Sequence, residues 1–205
     1  MQDAVDRLTP LGVMVLAMLG EGDMHPYEMI RLMRIRRDDR LVAITNGTMY
    51  NTVGRLEKAG LLAEVGVDRE GNRPERTTYT VTDAGSAAVT EWVRRELARV
   101  DHSAEFRIAL AEAHNLERDE VIALLRIHRD ARAAELSFVA AGLQGAVAKG
   151  VPTQYLLEFE REESLQAADL EWLDHLIQRL AADEIPWGSH APSQRYLEQR
   201  RAARQ

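Results

Sequence analysis

The chain has 205 residues, of which 45% are hydrophobic and 29% are charged, a composition typical of a soluble globular protein with one or two domains. It contains no cysteine, which excludes a disulfide framework, a thiolate zinc site and a cysteine nucleophile, and fits the reducing cytoplasm where we expect the protein to reside. The net charge of −7 is unevenly placed: residues 1–100 carry 14 basic and 15 acidic side chains and residues 101–205 carry 12 and 18, so the first half can present a local basic patch.

The first predicted element is a helix that begins near Thr9 and Pro10, where a capping hydroxyl precedes a proline. Its sequence PLGVMVLAMLG is too short for a membrane helix, which needs roughly 18 uninterrupted apolar residues. The acidic residues Asp3 and Asp6 ahead of it do not fit the basic start of a signal peptide. We therefore expect a buried core helix that ends at GEGD, and no membrane partner.

Two further helices are predicted before residue 60. The second follows His25, has Pro26 in its first turn and ends at the run RRDDR. The third lies between a Thr45 cap and Gly60, which stands where a left-handed terminator belongs. Its spacing predicts a buried face of Met49, Val53, Leu56 and Ala59, a different orientation for Thr48, Asn51, Thr52 and Arg55, and a border position for Tyr50.

A hairpin and a fourth helix are predicted next. Residues 61–67 have extended character, residues 68–75 are rich in turn formers, and residues 76–82 alternate in the manner of a strand. The two strands would enclose a basic tip that contains Arg73 beside Pro74. The sequence TDAG then caps a helix that reaches about residue 99.

The second half is predicted to be helical throughout, which divides the chain into domains at 1–100 and 101–205. A short helix lies within residues 100–116, and two long helices over about 117–147 and 153–182 are joined by the turn KGVP. In the last of these, positions 156, 159, 163, 166, 170, 173, 177 and 180 follow coiled-coil spacing, and six of the eight are apolar. Leu165, Trp172 and Leu176 form a second stripe, which predicts a second neighbour. The basic tail is either a short helix or frayed.

Three helices followed by a two-stranded hairpin are typical of the winged helix-turn-helix fold, so the fold class is mainly α, with a helical C-terminal dimerisation domain. The third helix has the size of a major-groove reader, and Thr48, Asn51 and Arg55 are candidates for contacts with bases or phosphates. Arg73 and Arg76 flank Pro74 at the wing, where they can reach backbone phosphates. Because one winged helix makes few contacts, we expect a homodimer that reads two half-sites.

Several of these segments resemble PadR-type transcriptional regulators. The stretch GTMYNTVGRLEKAGLL is similar to their G-T/S-x-Y…R-L-E-x-x-G-L signature, HPYEM to their H-G/P-Y-E segment, and NRPERTTYTVTDAG to their wing. Together the motifs span about residues 11–97 in the right order, and the helical second half resembles the longer C-terminal domain of one branch. The chain departs from the commonest pattern at Pro26, Asn46 and Thr78, where glycine, proline and a second wing tyrosine are common.

The resemblance implies a dimeric regulator, usually a repressor, whose C-terminal helices interlock between subunits. It implies that the side chains facing double-stranded DNA are Tyr27, Thr48, Tyr50, Asn51, Arg73 and Arg76. In some members, small effectors such as phenolic acids or hydrophobic drugs release the DNA. Trp92 and Trp172 are candidates for stacking a flat effector near the dimer interface, and ordinary core packing is the alternative for both.

The sequence also bears on two other classes of function, an enzyme and a protein-interaction adaptor. No pair of the six histidines has the spacing of a metal-dependent hydrolase, and the HRD tripeptide at residues 128–130 lies inside a helical pattern without other kinase elements. We therefore expect no catalysis, cofactor or metal. A helical protein-interaction adaptor without DNA binding stays open, because it would use the same coiled-coil spacing; the basic wing argues against it.

Overall fold

The structure, a computed structural model, describes residues 5, 7–68, 76–101, 103–188 and 194–204, and only the backbone of residues 67, 68 and 76. The predicted tip of the hairpin, including Arg73, lies outside these residues. Among the described residues the helices are α1 (Pro10–Gly20), α2 (Pro26–Arg36), α3 (Asn46–Lys58), α4 (Asp83–Ala98), α5 (Ser103–Ala111), α6 (Arg118–Ala148), α7 (Leu157–Ala181) and α8 (Gln194–Arg204), the strands are β1 (Leu62–Asp68) and β2 (Arg76–Val81), and short 3₁₀ turns lie at Asp38–Arg40, Ala113–Asn115 and Thr153–Tyr155. The predicted fold class is confirmed: a winged helix-turn-helix is followed by a helical C-terminal region.

Local sequence signals set the starts of the first helices. The Thr9 hydroxyl accepts a hydrogen bond from the Gly12 amide at 3.2 Å, and Pro10 occupies the first turn of α1. At α2 the cap is His25, whose Nδ1 accepts from the Tyr27 amide at 3.0 Å. These bonds satisfy amides that the first turn of a helix leaves unpaired. The predicted beginnings of both helices are confirmed.

The two strands form an antiparallel ribbon that is fastened to the α1–α2 connection. Leu62 pairs with Val81, and the register shifts between Glu64 and Gly66. Met24 and Tyr79 form an isolated bridge, with both backbone N–O distances at 3.1 Å. The base of the wing is therefore held against the turn that leads into α2.

The core of the first half is built around α1. Its side chains are buried on nearly every side, among them Val13, Val15, Leu16 and Leu19, because α1 packs against α3, α4, α5 and β2. As expected from its sequence, α1 is a core helix. Within the described ranges, every helix is too short or too polar to cross a bilayer.

Two assignments on α3 are wrong. Ala59 was expected on the buried face, but it is exposed because the helix ends at Lys58 and Ala59 is already the C-terminal cap. Thr52 was expected to point away from the core, but only 3% of it is exposed, since it follows Met49 by three positions and precedes Leu56 by four. Gly60 has the predicted left-handed conformation, with φ 71°.

In the second half, α6 and α7 pack along each other after the turn at Gly150. Within the coiled-coil stripe, Leu156, Leu173, Ile177 and Leu180 are buried, whereas Phe159 is 50% exposed. Two ion pairs join the helices, from Arg129 to Asp174 at 2.8 Å and from Arg132 to Asp169 at 3.5 Å. The tail forms the short helix α8, which packs on α2.

Candidate nucleic-acid interface

The helix that was predicted to read DNA buries one face and exposes the other. Met49, Val53 and Leu56 are at most 5% exposed and hold α3 against the core. On the opposite side, Tyr50 is 48% exposed, and Asn51 and Arg55 are also exposed. The three polar or aromatic side chains thus share one solvent-facing stripe.

Two residues that the sequence reasoning missed complete this stripe. Gly54 and Lys58 follow Tyr50 by four and eight positions, which is the spacing of one helix face. A β-carbon built at Gly54 would have no heavy atom within 4 Å, so the helix surface there is open. A glycine in a helix interior costs about 1 kcal/mol relative to alanine, and an open backbone surface is what a close approach to another molecule requires. A glycine inside a predicted helix was therefore the signal for this position that the sequence offered.

The hydroxyl of Thr48 is committed to the start of α3. Thr48 Oγ1 accepts from the Thr45 amide at 3.0 Å and lies 3.0 Å from the Thr45 carbonyl oxygen, to which it can donate. The Thr45 hydroxyl accepts in turn from the Thr48 amide at 3.1 Å. Each side chain thereby satisfies a backbone group of the other residue, as in a capping box. Thr48 therefore offers a methyl group rather than a free hydroxyl to a partner.

The start of α2 lies beside the start of α3. His25 and Tyr50 meet edge to face, with their ring centroids 6.4 Å apart. Tyr27 is 46% exposed, and the Arg31 guanidinium lies 5.8 Å from the centre of its ring. The structure thus brings Tyr27 and Tyr50, both named from the sequence, to adjoining helix starts. An arginine and two exposed phenols at this edge are suited to phosphate oxygens.

Arg55 retains most of its donors for an external partner. One terminal nitrogen of its guanidinium donates to Thr52 Oγ1 at the long distance of 3.4 Å. The side chain is otherwise in solvent, and a guanidinium offers five N–H donors. Arg55 is therefore held loosely over the stripe and can still make a bidentate contact.

The wing arginines are only partly described. Arg76 begins β2, and its backbone pairs with Asp68 of β1, so it lies at the far end of the ribbon from the Leu62–Val81 pair. Arg73 belongs to the undescribed tip. In the same strand, burial where the ribbon meets the core raises the pKa of Tyr79 above its usual value. The phosphate contacts of Arg73 and Arg76 stay a prediction.

The two candidate effector residues lie in different surroundings. Trp92 is 1% exposed and belongs to the core of α4, whereas Trp172 is 43% exposed on α7. An open cleft of about 540 Å³ includes neither tryptophan, and its lining residues are Val100, Arg132, Ala134, Glu135, Phe138, Val139, Glu162 and Gln166.

On α6, the ring of His128 stacks on the ring of Phe106, with the two ring centroids 3.9 Å apart. Burial lowers the pKa of His128.

Comparison with known proteins gives a family match in the first half of the chain. Residues 15–91, which run from α1 into α4, match the model of the transcriptional regulator PadR-like family. The matched range contains every residue of the α3 stripe and the wing. A search of curated proteins found no match.

Solved structures similar to this chain have low sequence identity. Bacillus subtilis PadR in complex with operator DNA is 18% identical, with 83% of this chain and 98% of that chain covered and a TM-score of 0.41. The protein smu.1604c from Streptococcus mutans UA159 is 18% identical, with 82% and 98% covered and a TM-score of 0.39. Bacillus subtilis PadR in complex with p-coumaric acid is 18% identical, with 84% and 99% covered and a TM-score of 0.36.

Proposed function

We propose that the chain, whose residues 15–91 match the model of the transcriptional regulator PadR-like family, binds operator DNA as a homodimer and acts as a ligand-responsive repressor. The observation that carries the proposal is the exposed stripe of α3. Asn51 and Arg55 stand on a helix whose opposite face is locked into the core, so their positions are fixed relative to the rest of the domain. Rigid presentation of a few side chains from one helix is how a major groove is read.

The DNA-binding unit in this proposal is residues 1–100, and residues 101–205 mainly join two copies. The wing, with Arg73 and Arg76, contacts the backbone beside the groove that α3 enters. Tyr27 and Tyr50 contribute at the adjoining helix starts, and Thr48 acts chiefly by ordering the first turn of α3. The protein is cytoplasmic and has no catalytic activity in this proposal.

Homodimerisation is supported by apolar side chains that one copy leaves in water. On α6 and α7 these exposed residues are Ile127, Phe138, Val147, Leu157, Phe159, Leu165 and Trp172. Exposed apolar groups at this density mark interaction surfaces in soluble proteins. Leu165 and Trp172 are seven positions apart, so they lie on one side of α7 and provide a continuous seam for a second copy.

An effector is the remaining part of the proposal. In this proposal Trp172, which is half-exposed on the seam, stacks a flat aromatic compound between two copies. Trp92 is only 1% exposed, so in this proposal it supports the packing of α4 and does not contact the effector. A ligand that favours a different separation of the two α3 helices would release the operator.

Footprinting on the DNA upstream of the gene tests the function. We expect two protected half-sites about one helical turn apart, and loss of protection with a releasing phenolic or drug-like compound. The variant Arg73→Ala/Arg76→Ala should weaken binding to every sequence. It should also reduce the dependence of log affinity on log salt by about 3 to 4, because a homodimer loses four phosphate contacts. Salt-insensitive or absent binding by the unaltered protein would favour a protein-interaction adaptor, and unchanged affinity of the variant would refute the wing assignment.

The seam on α7 gives a second prediction. Leu165→Asp/Trp172→Asp should convert the dimer to a monomer, because two facing copies would bring four carboxylates into one apolar contact. The matched control Ala167→Asp/Gln178→Asp adds the same charge at exposed positions on the other side of α7, and it should remain dimeric. Size-exclusion chromatography with light scattering measures both masses. A dimeric seam variant beside a monomeric control would move the interface to the other side of α7.

A further inference from the structure

The C-terminal helix α8 is built onto the winged-helix half. Arg200 donates from its two terminal nitrogens to the backbone carbonyls of Glu21 and Asp23, at 3.2 and 3.3 Å. The Arg36 guanidinium lies 5.3 Å from the ring centre of Tyr196, and Ala203 is 1% exposed within the core. The tail is therefore an ordered part of the α1–α2 surface.

The contact neutralises an acidic residue in the first turn of α2. The Glu28 side chain is only 11% exposed, and Glu28 Oε1 lies 3.5 Å from Arg200 Nε and 3.1 Å from Arg204 Nε. Two guanidinium groups face one carboxylate, so the cluster carries a net charge of +1. Without α8, Glu28 would present a negative charge beside Tyr27, where the proposed function places DNA.

The end of α8 also offers cations to solvent. The Arg204 side chain is 63% exposed although it pairs with Glu28, and Arg201 is exposed and makes no ion pair or hydrogen bond with any described residue. The helix holds four arginines and one glutamate in a chain whose net charge is −7. The second half of the chain is otherwise acidic, so this helix is a local excess of positive charge.

The position of these arginines connects them to the proposed DNA surface. Glu28, which Arg204 contacts, directly follows Tyr27 in α2, and the Tyr27 amide binds the ring of His25. His25 in turn contacts Tyr50 of α3. The carboxyl-terminal end of α8 is thus at the same end of α2 as the start of the reading helix.

From this arrangement we propose that α8 is an additional DNA-contacting element, in which Arg201 and Arg204 bind backbone phosphates that flank the segment read by α3. The inference rests on the proposed function and extends its footprint beyond the helix and wing. Charge complementarity carries it: an exposed pair of guanidiniums beside a neutralised carboxylate matches the phosphate chain of a duplex. Such contacts set position and affinity without reading sequence.

The test compares Arg201→Ala/Arg204→Ala with the matched control Arg126→Ala/Arg195→Ala. All four arginines are exposed, and each variant removes two positive charges; Arg195 lies about 13 Å from Arg204 along α8. Affinity for operator and random duplexes is measured by fluorescence anisotropy between about 50 and 200 mM salt. We expect the first variant to bind both duplexes at least about tenfold more weakly at low salt, with the salt slope reduced by about 2 to 4, because the homodimer loses four arginines. The control should keep the slope of the unaltered protein.

A third variant separates phosphate binding from a purely structural role of α8. Glu28→Gln removes the partner of Arg204 and also a negative charge beside DNA, so we expect affinity to rise about 2- to 5-fold. A fall in affinity for Glu28→Gln, or equal salt slopes for the two arginine variants, would overturn the inference while leaving the proposed function standing. If the unaltered protein binds no duplex, the proposed function fails as well.

Discussion

Replacement of Gly85 by alanine is expected to destabilise the winged-helix half by about 3 kcal/mol or more. A β-carbon at this position would overlap the carbonyl oxygen of Leu61 and lie 2.8 Å from Val81 Cγ2 and 3.0 Å from the Leu61 carbonyl carbon. The Leu61 carbonyl cannot yield easily, because it accepts the Thr82 amide at 3.1 Å. Relief of the overlap therefore requires α4 to move away from the junction of α3 and β1.

Gly54→Ala is the matched control, since it makes the same substitution inside a helix with nothing within 4 Å. Here the free energy of unfolding should rise by about 0.5–1 kcal/mol, because alanine restricts the unfolded chain and favours the helix. Chemical denaturation of the free protein measures both variants. Equal midpoints for Gly85→Ala and the unaltered protein would show that α4 does not press on the Leu61 carbonyl.

The parts of the fold that could be predicted are those specified by near neighbours in sequence. Thr9 with Pro10, and Thr45 with Gly60, mark the ends of helices through bonds or dihedral angles only a few residues away. The packing of α8 could not be predicted in this way. Arg200 meets Asp23 across 177 positions of sequence, and a basic tail by itself indicates only a polar helix or a frayed end.

The candidate site was predicted in outline because exposure on α3 follows helix geometry. Asn51 and Arg55 lie on the face opposite Met49 and Leu56, as the spacing requires. The role of the Thr48 hydroxyl could not be decided from spacing, since the same side chain can cap a helix or contact DNA. Its hydrogen bonds to Thr45 show that it caps the helix.

The starts of α2 and α3 lie close together and share one electrostatic environment. The starts of α2 and α3 meet through His25 and Tyr50, and the end of α8 neutralises Glu28 in the same region. A partially positive helix terminus favours an anionic partner, and the effect weakens if an unpaired carboxylate is nearby. The basic helix α8, which lies in the otherwise acidic second half of the sequence, therefore neutralises an acidic residue beside the proposed DNA surface.

The second large effect is expected from the reading face itself, in Asn51→Ala/Arg55→Ala. An amide on adenine and a guanidinium on guanine each contribute about 1–3 kcal/mol of discrimination, so operator affinity should fall about 100-fold or more. Binding to random duplex should fall much less, because it depends on phosphate contacts. The fold should be unchanged, since both side chains are exposed and Arg55 makes only the long contact with Thr52.

Lys58→Ala provides the contrast on the same stripe. Lys58 lies two turns beyond Tyr50 in the last turn of α3 and is exposed, so we expect it to contact a phosphate. Its replacement by alanine should therefore weaken binding to operator and random duplexes alike. Anisotropy titrations with both duplexes at one salt concentration give the ratio of affinities for each variant. If Asn51→Ala/Arg55→Ala lowers both affinities by the same factor, as expected for Lys58→Ala, then α3 lies along the DNA backbone, and bases are read by another part of the protein.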